Sequence, residues 1–193
     1  MNKKILLING HPDMESFNYA IMEAYKKGAE KSGAIIKEIK ISDLNFNPDL
    51  QFGYRKRTDL EPDLLSAQEK ITWANHLVWI YPVWWGSFPA IMKGFIDRVF
   101  LPGFAFQKRE NSVWWDKLLT NKTARIISTL DQPAWYYRIV YGRPSHKAMK
   151  KLILNFVGIK KVKATMIGPI RLSKDTFREN WLQKIEKLGF NNG

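Results

Sequence analysis

Tyr81-Pro82-Val83-Trp84-Trp85-Gly86-Ser87-Phe88-Pro89 puts two tryptophans and two prolines where an apolar run gives way to a helical pattern. A rigid aromatic loop there suits a large flat ligand, although such rings can also do no more than cover the end of a sheet. A second cluster is Asn9-Gly10-His11-Pro12-Asp13-Met14-Glu15-Ser16-Phe17-Asn18. It is neither a dinucleotide fingerprint nor a P-loop, since only Gly10 allows close backbone approach. It ends where a helix should begin, and the unpaired N–H groups and dipole of a helix start favour a phosphate. Ser16, Asn18 and His11 can add side-chain donors, whereas Asp13 and Glu15 would repel a phosphate and must point away or bond the helix end. Ser16 is equally a plain N-cap. The third cluster is Asp131-Gln132-Pro133-Ala134-Trp135-Tyr136-Tyr137, an aromatic loop that can wall a substrate or contact another subunit.

Other chemistries find little support. There are no cysteines, which removes disulfides, thiolate metal sites and a cysteine nucleophile and is compatible with the cytoplasm. The three histidines are far apart, so no metal site is expected, and His76 and His146 read as surface residues. Ser128 and Ser145 lack the Gly-x-Ser-x-Gly elbow of a hydrolase. The net charge is +13, and from Arg143 onward twelve Lys/Arg face three Asp/Glu, a net of +9. Such a balance favours anionic partners, among them phosphorylated cofactors, nucleic acid and acidic lipid. No nucleic-acid motif accompanies it, and no run is long enough to insert stably in a membrane.

The elements that must position these clusters alternate along the chain. Ile5–Ile8 reads as a first strand, followed by a helix from about Ser16 to Ser32 with Phe17, Ala20, Ile21, Ala24 and Gly28 on one face. Ile35–Ile41 is a second strand, and a helix runs from Pro62 to about Trp73. His76–Tyr81 is a buried third strand. The next helix places Phe88, Ile91, Met92, Phe95, Ile96 and Val99 on one face, with Ser87 as cap and Pro89 in its first turn. Thr123–Thr129 and Lys161–Ile167 are strands four and five, with helices over Ser145–Phe156 and Lys174–Leu188. Five strand–helix units imply one domain over residues 1–193. Its class is α/β, a flavodoxin-like, doubly wound, five-stranded parallel sheet with helices on both faces.

Taken together, the three loops resemble the NAD(P)H quinone reductase family, of the modulator-of-drug-activity and general-stress-protein type. His11 with Ser16-Phe17-Asn18 looks like that family's flavin-binding start, and Asn45-Phe46-Asn47-Pro48 sits at a similar run. The most specific match extends from Tyr81 to Phe100 and continues through Gly103-Phe104-Ala105-Phe106. Residues 50 to 60 and 107 to 121 match poorly.

The resemblance implies a homodimeric flavoenzyme that moves hydride from NAD(P)H through bound flavin to a quinone or similar acceptor. FAD is favoured, with FMN open. His11, Ser16, Phe17 and Asn18 would hold the phosphate and any adenosine part; Pro82, Val83, Trp84 and Trp85 would line the isoalloxazine. Thr129, Leu130 and Asp131 match the second isoalloxazine loop, although Leu130-Asp131 stands where the family usually has Gly-Gly. Backbone donors from Trp84, Trp85 and Leu130 would stabilise the reduced flavin. Tyr136 or Tyr137 would be the active-site tyrosine, with no obligate acid or base. Phe104, Phe106 and Trp135 would wall the substrate side, partly from a second subunit. Three further readings compete: a flavin-binding ancillary subunit of a potassium efflux transporter, an electron-carrier flavodoxin disfavoured by the basic charge, and a nucleic-acid binder.

Overall fold

The computed structural model describes residues 2–191, so Met1, Asn192 and Gly193, the ends of the expected domain, lie outside the described residues. The elements run β1 (Lys4–Asn9), α1 (Phe17–Lys31), β2 (Ile35–Lys40), a 3₁₀ turn (Ile41–Asp43), α2 (Pro62–Trp73), β3 (His76–Pro82) and α3 (Ala90–Val99). A hairpin of β4 (Phe106–Lys108) and β5 (Trp115–Lys117) follows, then β6 (Thr123–Thr129) and α4 (Ala134–Ile139). The chain continues through α5 (Pro144–Lys147), a π-helical stretch (Ala148–Leu154), α6 (Asn155–Val157), β7 (Lys161–Ile167) and α7 (Asp175–Phe190).

Five strands form a parallel sheet in the order β2-β1-β3-β6-β7. This is the expected flavodoxin-like winding, and its direction reverses between β1 and β3, where open α/β sheets bind ligands. Strand alternation divides the core. Ile5, Leu7, Val78, Ile80 and Ile127 face α1 and α7, while Leu6, Ile8, Trp79, Tyr81 and Ile126 face α2, α3 and the 148–157 helices. Helices α1 and α7 touch through paired glycines. A Cβ on Gly28 would strike the Glu186 carbonyl, and one on Gly189 the Tyr25 carbonyl. The apolar face expected of the first helix is therefore a close helix–helix contact.

Several local expectations change. Ser87 does not cap α3, whose cap position is Pro89; it closes a tight turn with Trp84 through two 2.9 Å backbone hydrogen bonds. Residues 134–139 are helix rather than loop, started by Pro133. The β4–β5 hairpin went unpredicted because its strands are three residues each, too short to show a period. His76 and His146 are not surface residues: they are 3% and 6% exposed, one opening β3 and the other inside α5. The Asn45–Pro48 run is held from α3: Arg98, 1% exposed, donates to the Asn47 and Asp59 carbonyls and pairs with Glu61 at 2.8 Å. Phe46 packs edge-on against Phe95.

Candidate active site

The loops after β1, β3 and β6 converge on the carboxyl edge of the sheet, as their strand positions require. In the first loop, side chains fold the backbone in steps of two. Asn9 Oδ1 accepts the His11 N–H, His11 Nδ1 accepts the Asp13 N–H, and Asp13 Oδ1 accepts the Glu15 N–H, all at 2.9 to 3.0 Å. The Asp13 carboxylate thus bonds the backbone ahead of the helix, answering the repulsion expected of it. With Nδ1 accepting, the His11 proton belongs on Nε2. Burial lowers the His11 pKa against a smaller opposing effect of Asp13, so the ring enters the site neutral and offers one donor. It stands edge-on to Trp84 with ring centres 5.4 Å apart.

Ser16 occupies the cap position of α1, but its side chain makes no cap hydrogen bond. Its Oγ is buried without a partner among the described residues. A buried hydroxyl left unbonded costs about 1–3 kcal/mol, so this oxygen is poised for a ligand. The Phe17 and Asn18 N–H groups lie in the same first turn, which a helix leaves unpaired. Asn18 is different from the donor expected, because its buried Nδ2 donates to Thr129 Oγ1 at 3.1 Å. It ties the first loop to the end of β6. Gly10 also has another reason to be glycine: a Cβ there would meet Met92 Sδ at 2.5 Å, so the close approach is to α3.

In the second loop, the Trp84–Ser87 turn has Trp85 at φ 50° and Gly86 at φ 75°. A tryptophan in the left-handed region is strained, and here it is wholly exposed at the turn's tip. The expected backbone donors are mostly already used. The Trp84 N–H goes to Ser87 O and the Leu130 N–H to Ile167 O, at 2.8 to 2.9 Å, and the neighbouring Val83 N–H goes to Thr129 O. Leu130 extends the β6–β7 ladder and buries its side chain, so it offers no backbone donor; of the three expected, only the Trp85 N–H has no partner among the described residues. The replacement of Gly-Gly by Leu130-Asp131 is accommodated by Gly168, whose missing Cβ would strike Leu130 and Gln132.

Two adjoining cavities make one cleft. The smaller, about 150 Å³, is lined by His11, Ser16, Phe17, Asn18, Pro82 and Thr129 together with Leu130 and Ile170. The larger, about 670 Å³, runs between the Trp84–Trp85 turn and Tyr137, Tyr141 and Pro144. Val83, Trp84 and Asp131 border both. Of the two adjacent tyrosines, Tyr137 is the one that lines the larger cavity; it is 1% exposed and shares a 2.7 Å hydrogen bond with Ser145 Oγ. Tyr136 stands outside, edge-on to Trp135 and Tyr141. Trp135 is 62% exposed and lines neither cavity.

Phe104 and Phe106 do not wall this cleft within one chain. Phe104 lines a separate cavity beside Tyr54, Lys56 and Arg57, and Phe106 is buried against Phe156. Both follow α3, which carries them away from the carboxyl edge. The lining residues not expected from sequence are Gly86, Gln132, Tyr141, Pro144 and Ile170, with Ser145 behind Tyr137. Tyr141 was within reach, since it lies four residues beyond Tyr137. Ile170 carried no signal, because it arrives through the turn after β7.

The comparisons with known proteins fit this architecture. Sequence similarity includes a Haemophilus influenzae protein named as an uncharacterized NAD(P)H oxidoreductase, 26% identical over 182 residues, covering 92% of this chain and 90% of that protein. NAD(P)H dehydrogenase (quinone) 1 of Rattus norvegicus is 30% identical over 124 residues, covering 54% of this chain and 45% of the rat protein. The match thus takes in about half the length of either chain. A crystal structure of a Streptococcus mutans protein superposes with a TM-score of 0.83 at 30% identity, covering 97% of this chain and 99% of that one. The NAD(P)H:quinone oxidoreductase of Methanothermobacter marburgensis shares the fold, with a TM-score of 0.81 at 23% identity over 100% and 98% of the two chains. The family model described as the flavodoxin-like fold matches residues 3–188, and with that span, strand order and site the chain belongs to the flavodoxin-like fold family.

Proposed function

We propose that residues 1–193 act as one flavin-binding domain, a cytoplasmic NAD(P)H oxidoreductase that reduces a quinone or a similar small acceptor. The observation that carries this is the unpartnered Ser16 hydroxyl at the start of α1, opening into a cleft flanked by Trp84. A flavin nucleotide fits both ends, since the phosphate takes the hydroxyl and helix N–H groups while the ring takes the aromatic cleft. When bound, flavin supplies the chemistry, accepting hydride from reduced nicotinamide and delivering it to the acceptor.

The chain's part is binding, orientation and electrostatics. Ser16 Oγ, the Phe17 and Asn18 N–H groups and His11 Nε2–H hold the phosphate, while the Asn18–Thr129 bond fixes the loop that carries them. Pro82, Val83, Trp84 and Trp85 flank the ring, and the Trp85 N–H is the donor left for its polar edge. Thr129, Leu130 and Asp131 close the opposite side, and Tyr137, oriented by Ser145, forms the acceptor wall. FAD is the preferred nucleotide because the His11–Asn18 loop extends the site beyond the ring. Phe104 and Phe106, remote from their own cleft, contribute from a second copy, which makes the working form a homodimer. The named relatives are oxidoreductases, so the ancillary-subunit reading is set aside. No helix among the described residues is long and apolar enough to cross a membrane.

The test is an absorption spectrum of the purified protein, identification of the released chromophore, and anaerobic addition of NADPH or NADH. Flavin bands that bleach with nicotinamide support the proposal and name the cofactor. A colourless protein that also fails to bind added FAD or FMN refutes it.

A further inference from the structure

The outer side of the cleft mouth carries a surface that flavin and acceptor binding leave unused. Helix α4 turns Tyr137 inward and points Trp135, Arg138 and Ile139 outward, at spacings of three and four residues. Ile139 is 73% exposed and Val140, which follows it, 55%. Neither residue lines the cleft, and together with Trp135 they form an apolar rim beside it. Such a contiguous exposed patch marks an interaction site more often than single surface residues do.

Three cations lie on or just after the same short helix. Arg138 and Lys147 are exposed and Arg143 half-buried, and none of the three is ion-paired among the described residues. Lys147 Nζ lies 3.3 Å from where a Cβ on Gly142 would stand, which places its charge beside the turn that follows α4. No Asp or Glu occurs between Asp131 and Asp175, so this stretch carries no negative charge of its own. Indole at headgroup depth, aliphatic side chains at the acyl boundary and cations against phosphates are the components of an interfacial lipid contact.

We propose that the α4 rim docks this protein reversibly on an anionic lipid bilayer, with the cleft opening at the edge of the contact. An acceptor dissolved in that bilayer would then reach the cleft without crossing bulk water. The contact itself depends on neither flavin nor turnover, so its failure and that of the proposed function are separately visible.

The experiment mixes the purified protein with vesicles of phosphatidylcholine alone or with added phosphatidylglycerol, and measures the bound fraction by co-sedimentation. Binding is expected only with phosphatidylglycerol, and is expected to weaken as salt is added. Arg138→Gln should lower the partition about fivefold and Ile139→Asp about tenfold. Both positions are exposed, and unchanged circular dichroism would show that the variants fold. Absence of binding to anionic vesicles, or equal binding by wild type and both variants, overturns the proposal. So does a wild-type dimer that Ile139→Asp dissociates without any lipid binding, because the rim would then be covered by a second copy.

Discussion

Acidification should weaken this protein through its two buried histidines, well before carboxylates begin to protonate. His76 is buried at the start of β3, with Nδ1 bonded to Thr123 Oγ1 at 2.6 Å and Nε2 without a partner among the described residues. Burial first, then the nearby Lys3, Arg125 and Lys163 charges, push its pKa down to about 3. His146 has neither ring nitrogen bonded among the described residues, and burial followed by Arg143 and Lys150 lowers it to about 4. Unfolded histidine titrates near 6.5. Both folded values are depressed, so stability is complete above about pH 6.5 and falls as pH drops from there toward the folded values.

At about pH 5 the unfolded chain holds both protons and the folded chain neither, which costs about 2 kcal/mol per histidine and about 4 kcal/mol together. That is a large share of a typical stability of about 5–15 kcal/mol. For a chain of this size it corresponds to a fall of about 10 °C in Tm. Urea unfolding followed by tryptophan fluorescence at about pH 7 and about pH 5 measures it directly. The absence of cysteine keeps thiol exchange out of the transition. His146→Leu should remove close to half of the dependence. A free energy unchanged between the two pH values, or an equal slope in His146→Leu, would refute the argument.

Three substitutions separate the roles of other residues. Ser16→Ala removes a buried hydroxyl that caps nothing within the chain, so Tm of the flavin-free protein should hold or rise while the flavin dissociation constant rises about tenfold in a fluorescence-quenching titration. Trp85→Gly relieves a left-handed residue and should leave stability unchanged or raised by up to about 1 kcal/mol, yet lower flavin affinity; a clear fall in Tm would contradict the strain argument. Gly28→Ala forces a methyl against the Glu186 carbonyl and should cost about 2–3 kcal/mol in chemical denaturation, because backbone on both sides cannot yield. An unchanged midpoint there would mean that α1 and α7 slide apart freely.

The winding of the sheet was legible because each buried strand is a short apolar run followed by a helix-periodic one. His76–Pro82 is the clearest case, buried at every position. Polar side chains were harder to place, because burial depends on what packs above them. His146 looks like one residue of a basic surface in sequence, and only the packing around α5 buries it. The Tyr136–Tyr137 ambiguity had the same origin, since neighbours on a helix point about 100° apart and the helix itself was not anticipated. The loop residues expected around the smaller cavity did come together, because they follow directly from strand ends. Phe104 and Phe106 did not, because α3 and its exit loop intervene.

The same distinction operates inside the site. A recognisable run of residues mixes those that face a ligand with those that hold the loops to one another, and residue type does not separate them. Asn18 and Ser16 both look like phosphate donors, yet Asn18 spends its amide on Thr129 and only Ser16 keeps its hydroxyl free. Trp84 and Trp85 both look like ring neighbours. Trp84 closes a turn with its backbone and meets His11 with its indole, while Trp85 alone retains an open N–H. The Leu130-Asp131 departure follows the same logic: the Leu130 backbone belongs to the ladder with β7, so a side chain there is tolerated. The departure therefore changes how β6 ends and leaves intact the other end of the smaller cavity, which Ser16, His11 and the first turn of α1 define.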